Sequence, residues 1–154
     1  MRFVFEKRKD GKYDRLRIER DGSAEEIPCP KIGGIPHDMI HVAVDTVMGR
    51  AGFARRVAGG EKLDMRMAAS VESDQMERLV EVMQADRISG SPPPADLIDM
   101  YRVTCEARRV KAYPVTPADI AAIRAEIDRL SKAWDETAPG GALTLELDEP
   151  QHAH

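Results

Sequence analysis

Tyr13-Asp14-Arg15-Leu16-Arg17-Ile18-Glu19-Arg20, bounded by Asp10-Gly11 on one side and Asp21-Gly22 on the other, is the stretch on which the fold turns. Leu16 and Ile18 alternate with Arg15, Arg17 and Glu19. That period of two belongs to a strand with one buried and one wet face. Asp-Gly pairs suit tight hairpins, because glycine enters positive φ without a Cβ penalty. Upstream, Phe3 and Phe5 alternate with charged or smaller neighbours; downstream, Ser23 to Ile27 completes a third short strand. The first 27 residues therefore predict a three-stranded antiparallel meander. Pro28-Cys29-Pro30-Lys31-Ile32-Gly33-Gly34 reads as an irregular crossing from sheet to helix, since its prolines lack amide donors and its glycines favour turns.

Helical periodicity takes over from Pro36. Met39, Ile40, Ala43, Val44 and Val47 form an apolar stripe at helical spacing. Pro36 suits the first helical position, Asp38 complements the helix dipole in the first turn, and Gly49 suits the stop. A turn of helix is expected around residues 53–57. A second full helix runs from about Asp74 to Arg87, with Ser73 as its cap and Met76, Leu79, Val80 and Met83 inward. Methionines at this spacing between Met65 and Met83 read as core filler. After Ser89-Gly90-Ser91-Pro92-Pro93-Pro94, a third helix runs from Ala95 to about Val110, with Leu97, Ile98, Tyr101 and Cys105 on one side. Thr116, Pro117 and Asp119 open the strongest helix signal in the chain. There Ile120, Ile123, Ile127, Leu130 and Trp134 recur at alternating spacings of three and four. Leu143, Leu145 and Leu147 then alternate with polar residues as a half-buried strand, which needs a sheet partner and is expected to return to the meander.

The expected architecture is α+β: an antiparallel sheet of about four strands, the meander plus the C-terminal strand, with three or four helices packed on one face. One domain over residues 1–149 is expected, followed by a frayed tail at 150–154.

Composition narrows the function classes. A chain of 154 residues with 42% hydrophobic and 32% charged residues has enough apolar material for a core, which argues against disorder. A net charge of −4 gives no general attraction to nucleic acid or to an anionic membrane. The basic residues Lys7, Arg8, Lys9, Arg15 and Arg17 gather in the first strands, where they read mainly as a solvated face. Anion or nucleic-acid contact is the minor alternative. Cys29 and Cys105 are too few and too far apart for a disulfide framework and are expected to be reduced. Charge close behind Met1 and the lack of any run approaching ~18 apolar residues predict a cytoplasmic protein outside the membrane. No Gly-rich phosphate loop, Gly-x-Ser-x-Gly elbow or zinc-finger spacing is present.

One constellation carries chemistry. His37 and His41 are one turn apart, and Asp45 lies one further turn along. At ~100° per residue the three drift by only about 80°, so they form a stripe at the margin of the apolar face. Two imidazoles one turn apart suit a divalent metal such as zinc, and a carboxylate can complete the site. His37-Asp38-Met39-Ile40-His41 resembles the His-Glu-x-x-His helix of zinc metallopeptidases, with Asp38 in place of the glutamate. The resemblance implies His37 and His41 as ligands and Asp38 as general base. It departs from that pattern in the shorter reach of Asp and in the position of His37 in the first helical turn. Glu72 and Asp74 are candidate distant ligands. Pro36 to His41, together with Gly52-Phe53, Trp134 and Gly141-Ala142-Leu143-Thr144-Leu145, is also similar to a family of small bacterial proteins with a Pro-His-Asp-x-x-His helix. That similarity implies one domain built around the helix, and no activity carries over from it.

Two function classes follow. The first is a noncatalytic accessory or interaction protein, acting on a protein partner or by self-association, with the histidines structural. The second is a divalent-metal protein, hydrolytic if Asp38 acts as base, with His37, His41 and Asp45 on the metal.

Overall fold

The computed structural model describes residues 2–9, 13–20, 22–32, 34–50, 52 and 70–146. The Asp10-Gly11 turn, the expected turn of helix at 53–57, Met65, Met67, Leu147 and the expected tail at 150–154 lie outside the described residues.

Strands β1 (Arg2–Glu6), β2 (Tyr13–Arg20) and β3 (Ser23–Ile32) form the antiparallel meander. Arg20 pairs with Ser23 across a two-residue turn whose Gly22 takes φ 78°. Strand β5 (Ala142–Glu146) pairs antiparallel with β1, giving the order β3-β2-β1-β5. The register lines Leu145, Phe3 and Ile18 up in one row and Leu143, Phe5, Leu16 and Ile27 in the next. Phe3, Phe5, Leu16 and Ile18 are fully buried beneath the helices. On the opposite face Arg17 pairs with Glu6 and Glu19, Arg2 with Glu19, and Arg15 with Glu26. The arginines singled out by the charge pattern thus stand among acids from neighbouring strands.

Residues 28–32, expected to be irregular, instead continue β3, with Pro28 opposite Arg15 and Pro30 opposite Tyr13. Two prolines two residues apart point their missing donors to the same side of the strand. An edge strand tolerates this where that side is not in a ladder. The continuation matters because it carries Cys29 inward, fully buried beside Asp14. A two-residue strand β4 (Ile35–Pro36) then pairs with Lys31 and Ile32 and leads directly into helix α1.

The described residues form four helices: α1 (His37–Met48), α2 (Val71–Ser89), α3 (Pro94–Ala107) and α4 (Pro117–Asp135). Helix α1 packs on α2 and α4 and lies against β3 and β4, and α3 closes the ring between α2 and α4. Gly49 ends α1 at φ 66°, its N–H bonding to Asp45 O. Helix α2 starts earlier than expected: Ser70 is its cap, and Ser73 completes the capping box. Helix α3 stops before Val110, because Arg109 takes φ 55° and the Val110 N–H bonds back to Cys105 O at 2.8 Å. Thr116 and Asp119 form the expected capping box of α4, and all five residues of its apolar stripe are buried. Lys7 fastens β1 to the end of that helix. Its Nζ donates to Trp134 O at 2.8 Å and lies 5.1 Å from the centre of the indole ring.

Two substitutions test this framework. Thr116→Ala removes the side-chain acceptor at the start of α4 and is expected to cost about 1 kcal/mol in urea denaturation. A Cβ at Gly52 would stand 2.1 Å from Asp45 Oδ1, on a fully buried side chain. Gly52→Ala is therefore expected to destabilise by roughly 1–3 kcal/mol, seen as a lower urea midpoint at unchanged slope.

Candidate metal site on α1

Helix α1 is more deeply buried than an amphipathic helix. Every residue from Asp38 to Asp45 is buried, the polar ones included. The cause is its position: strands cover one side, and α2 and α4 cover others, so polar groups expected at the margin of the stripe are drawn into the interior. Buried polar groups need partners, and those partners define the site.

His37 and His41 stand edge to face, ring centres 4.7 Å apart, with their Nε2 atoms separated by 3.0 Å. One donor atom from each of His37, Asp38 and His41 lies within 4.8 Å of the others. His37 is half-buried, Asp38 is 8% exposed and His41 5%. The cluster thus joins the two histidines to Asp38, and Asp45 is not a member of it. Asp45 lies further along α1, its carboxylate against Gly52. Glu72 faces Arg50 at 3.7 Å, and neither it nor Asp74 belongs to the cluster.

Four further residues complete the surroundings. From the sheet, Cys29 Sγ donates to Asp38 Oδ2 at 3.0 Å, and Cys29 is paired across strands with Asp14. Burial, with the neighbouring Asp38 charge adding to it, pushes the Cys29 thiol far above its usual range, so it is a protonated donor. From α2, Gln84 meets His37 Nδ1, and Glu77 Oε2 lies 3.8 Å from His41 Nδ1. Burial also raises Glu77. The inward parity of Glu25, Ile27 and Cys29, set by their pairing with Ile18, Leu16 and Asp14, would have revealed Cys29 had the strand been extended through the prolines. Glu77 and Gln84 are seven apart, two turns of one helix face, but nothing in the sequence says which helix that face meets.

Burial pulls the His41 imidazole down to about 4, against a smaller upward pull from Asp38, while His37 pushes it further down. The folded protein therefore holds His41 neutral while the unfolded chain titrates near 6.5, the ordinary histidine value. The unfolded state binds more protons between those values, so stability falls as pH drops from about 6.5 and levels off near 4. Urea melts at pH 7.5, 5.5 and 4.5 are expected to show this decline, and His41→Gln is expected to flatten it. An equal decline in the variant would remove His41 as its source.

Compared with models of protein families, with curated proteins and with solved structures, the chain matches none.

Proposed function

We propose that the chain is a noncatalytic accessory protein that holds one divalent transition-metal ion, such as zinc, between His37 and His41, with Asp38 as the carboxylate of the site. The observation that carries this reading is the approach of the two Nε2 atoms to 3.0 Å. Two nitrogens each at about 2.0–2.1 Å from a tetrahedral ion stand about 3.3 Å apart, so a small adjustment of either ring seats the ion. Imidazole and carboxylate donors suit zinc and its neighbours better than calcium or magnesium. Cys29 engages Oδ2 of Asp38, which leaves Oδ1 for the metal. Burial of Asp38 and His41 favours an ion enclosed for structure or regulation, because a catalytic ion keeps an open position for water and substrate. The hydrolytic alternative, with Asp38 as general base and Asp45 as ligand, draws less support. Asp38 already accepts a thiol hydrogen bond, and Asp45 stands apart from the histidines.

Metal content of untagged protein, followed by zinc titration after chelation, tests the reading. His152 and His154 are the remaining histidines of the chain, so the experiment is run with both replaced by alanine. About one zinc per chain is expected, falling well below that in folded His37→Ala and His41→Ala variants. No zinc uptake by the folded parent would overturn the proposal.

A further inference from the structure

We propose that a second copy of this chain pairs with the first along β5, edge to edge and antiparallel, so that the two sheets become one. The proposal is independent of the metal reading. Among the described residues the strand order β4-β3-β2-β1-β5 leaves an outer side on β5 and, beyond the short β4, an outer side on β3. An open edge presents unpaired N–H and C=O groups and accepts another strand unless something blunts it. The ladder shows that the two edges differ. The Lys7 N–H donates to Gly141 O at 2.9 Å, and the Lys7 carbonyl accepts from Gly140 N at 2.7 Å. Lys7 therefore turns its backbone groups toward the β5 side. In an antiparallel sheet successive residues turn theirs alternately to one side and the other. Counting back from Lys7, Phe5 and Phe3 face β5, and their partners Leu143 and Leu145 face β1. Ala142, Thr144 and Glu146 thus point their N–H and C=O groups outward. The same alternation carried across the sheet turns Arg15 and Arg17 to β1 and Asp14, Leu16 and Ile18 to β3, which leaves Pro28 and Pro30 facing out. Only there is a proline tolerated in a strand, so the prolines agree with the count. The outer side of β3 lacks donors at both positions. β5 contains no proline and keeps all of its outward donors.

The side chains of β5 fit the same strand run backwards. A two-fold axis through Thr144 sets Thr144 opposite Thr144 of the second copy and Ala142 opposite its Glu146. Every outward-facing residue of β5 then exchanges its N–H and C=O with its counterpart. No acid faces an acid, and a threonine pair directly across two strands is favourable. Glu146 keeps Arg2 beside it on the inner side of the strand. On the helix-covered face Leu143 and Leu145 are only half-buried at the rim of the core. The same register lays Leu143 of one copy against Leu145 of the other and removes more of both from water. An axis at Glu146 would set acid against acid. An axis at Ala142 would carry Glu146 past the strand to the turn at Gly140. Charge and pattern thus select one register and one occupant, a second β5.

The test is sedimentation of the full chain, metal-free, over a concentration series reaching roughly 1 mM. Thr144→Pro removes an outward donor and Thr144→Lys sets lysine against lysine across the axis. Neither removes a bond of the β1–β5 ladder, because Thr144 turns its backbone away from β1 and its side chain is exposed. Both variants are checked for folding by circular dichroism. Ala142→Lys, which places a lysine opposite Glu146 of the second copy, is measured beside them. A concentration-dependent dimer is expected in the parent, weakened about tenfold or more in each Thr144 variant and tightened in Ala142→Lys. The Thr144 amide is expected to exchange with solvent more slowly as the dimer forms. A parent that stays monomeric throughout the series would overturn the proposal and leave the edge to a partner of other chemistry. A dimer undiminished in the folded Thr144 variants would overturn it as well, by placing the contact elsewhere.

Discussion

Enclosure of α1 is the constraint on which the other features depend. The helix lies against β3 and β4 and is packed on by α2 and α4, and eight consecutive residues from Asp38 to Asp45 are buried. A helix in that position must satisfy its polar side chains without water, because an unpaired buried polar group costs on the order of 1–3 kcal/mol. The sheet offers the Cys29 thiol to Asp38, α2 brings Gln84 against His37 and the Glu77 carboxylate to 3.8 Å from His41 Nδ1, and a glycine at position 52 makes room for the Asp45 carboxylate.

The same enclosure shapes what the cluster can do. A low-polarity setting disfavours imidazolium, and His41 is held neutral, the form in which a histidine ligates a metal. The two rings, turned nitrogen to nitrogen, are preorganised toward one point between them. No helix among the described residues is long and apolar enough to cross a membrane.

The frame around α1 is held by simpler forces. Cross-strand rows of Phe3, Phe5, Leu16 and Ile18 give the sheet its apolar face, and the buried stripe from Ile120 to Trp134 gives α4 its own. Lys7 links the two through Trp134, while paired charges occupy the outer face of the sheet. Met76 and Met83 lie in this core with Leu79 and Val80, consistent with methionine as filler at helical spacing.

Periodicity alone determined much of this. Alternation about Leu16 and Ile18 placed β2 and its neighbours, the three-and-four spacing of five residues placed α4, and the Thr116–Asp119 box placed its start, because each is a local pattern set by backbone geometry. The pairing of His37 with His41 was also legible, since positions four apart lie one turn above each other in any setting, whereas the sequence set Asp45 beside them as the carboxylate ligand and the fold brings Asp38 there instead. Tertiary structure decided the rest. Whether Pro28 and Pro30 break a strand depends on which side of it carries the ladder. Whether Asp38 or Asp45 joins the histidines depends on side-chain direction within a packed interior. That Cys29, Glu77 and Gln84 surround them depends on which strand and which helix face α1. These are relations between segments far apart in the chain, and no local pattern of residues encodes them.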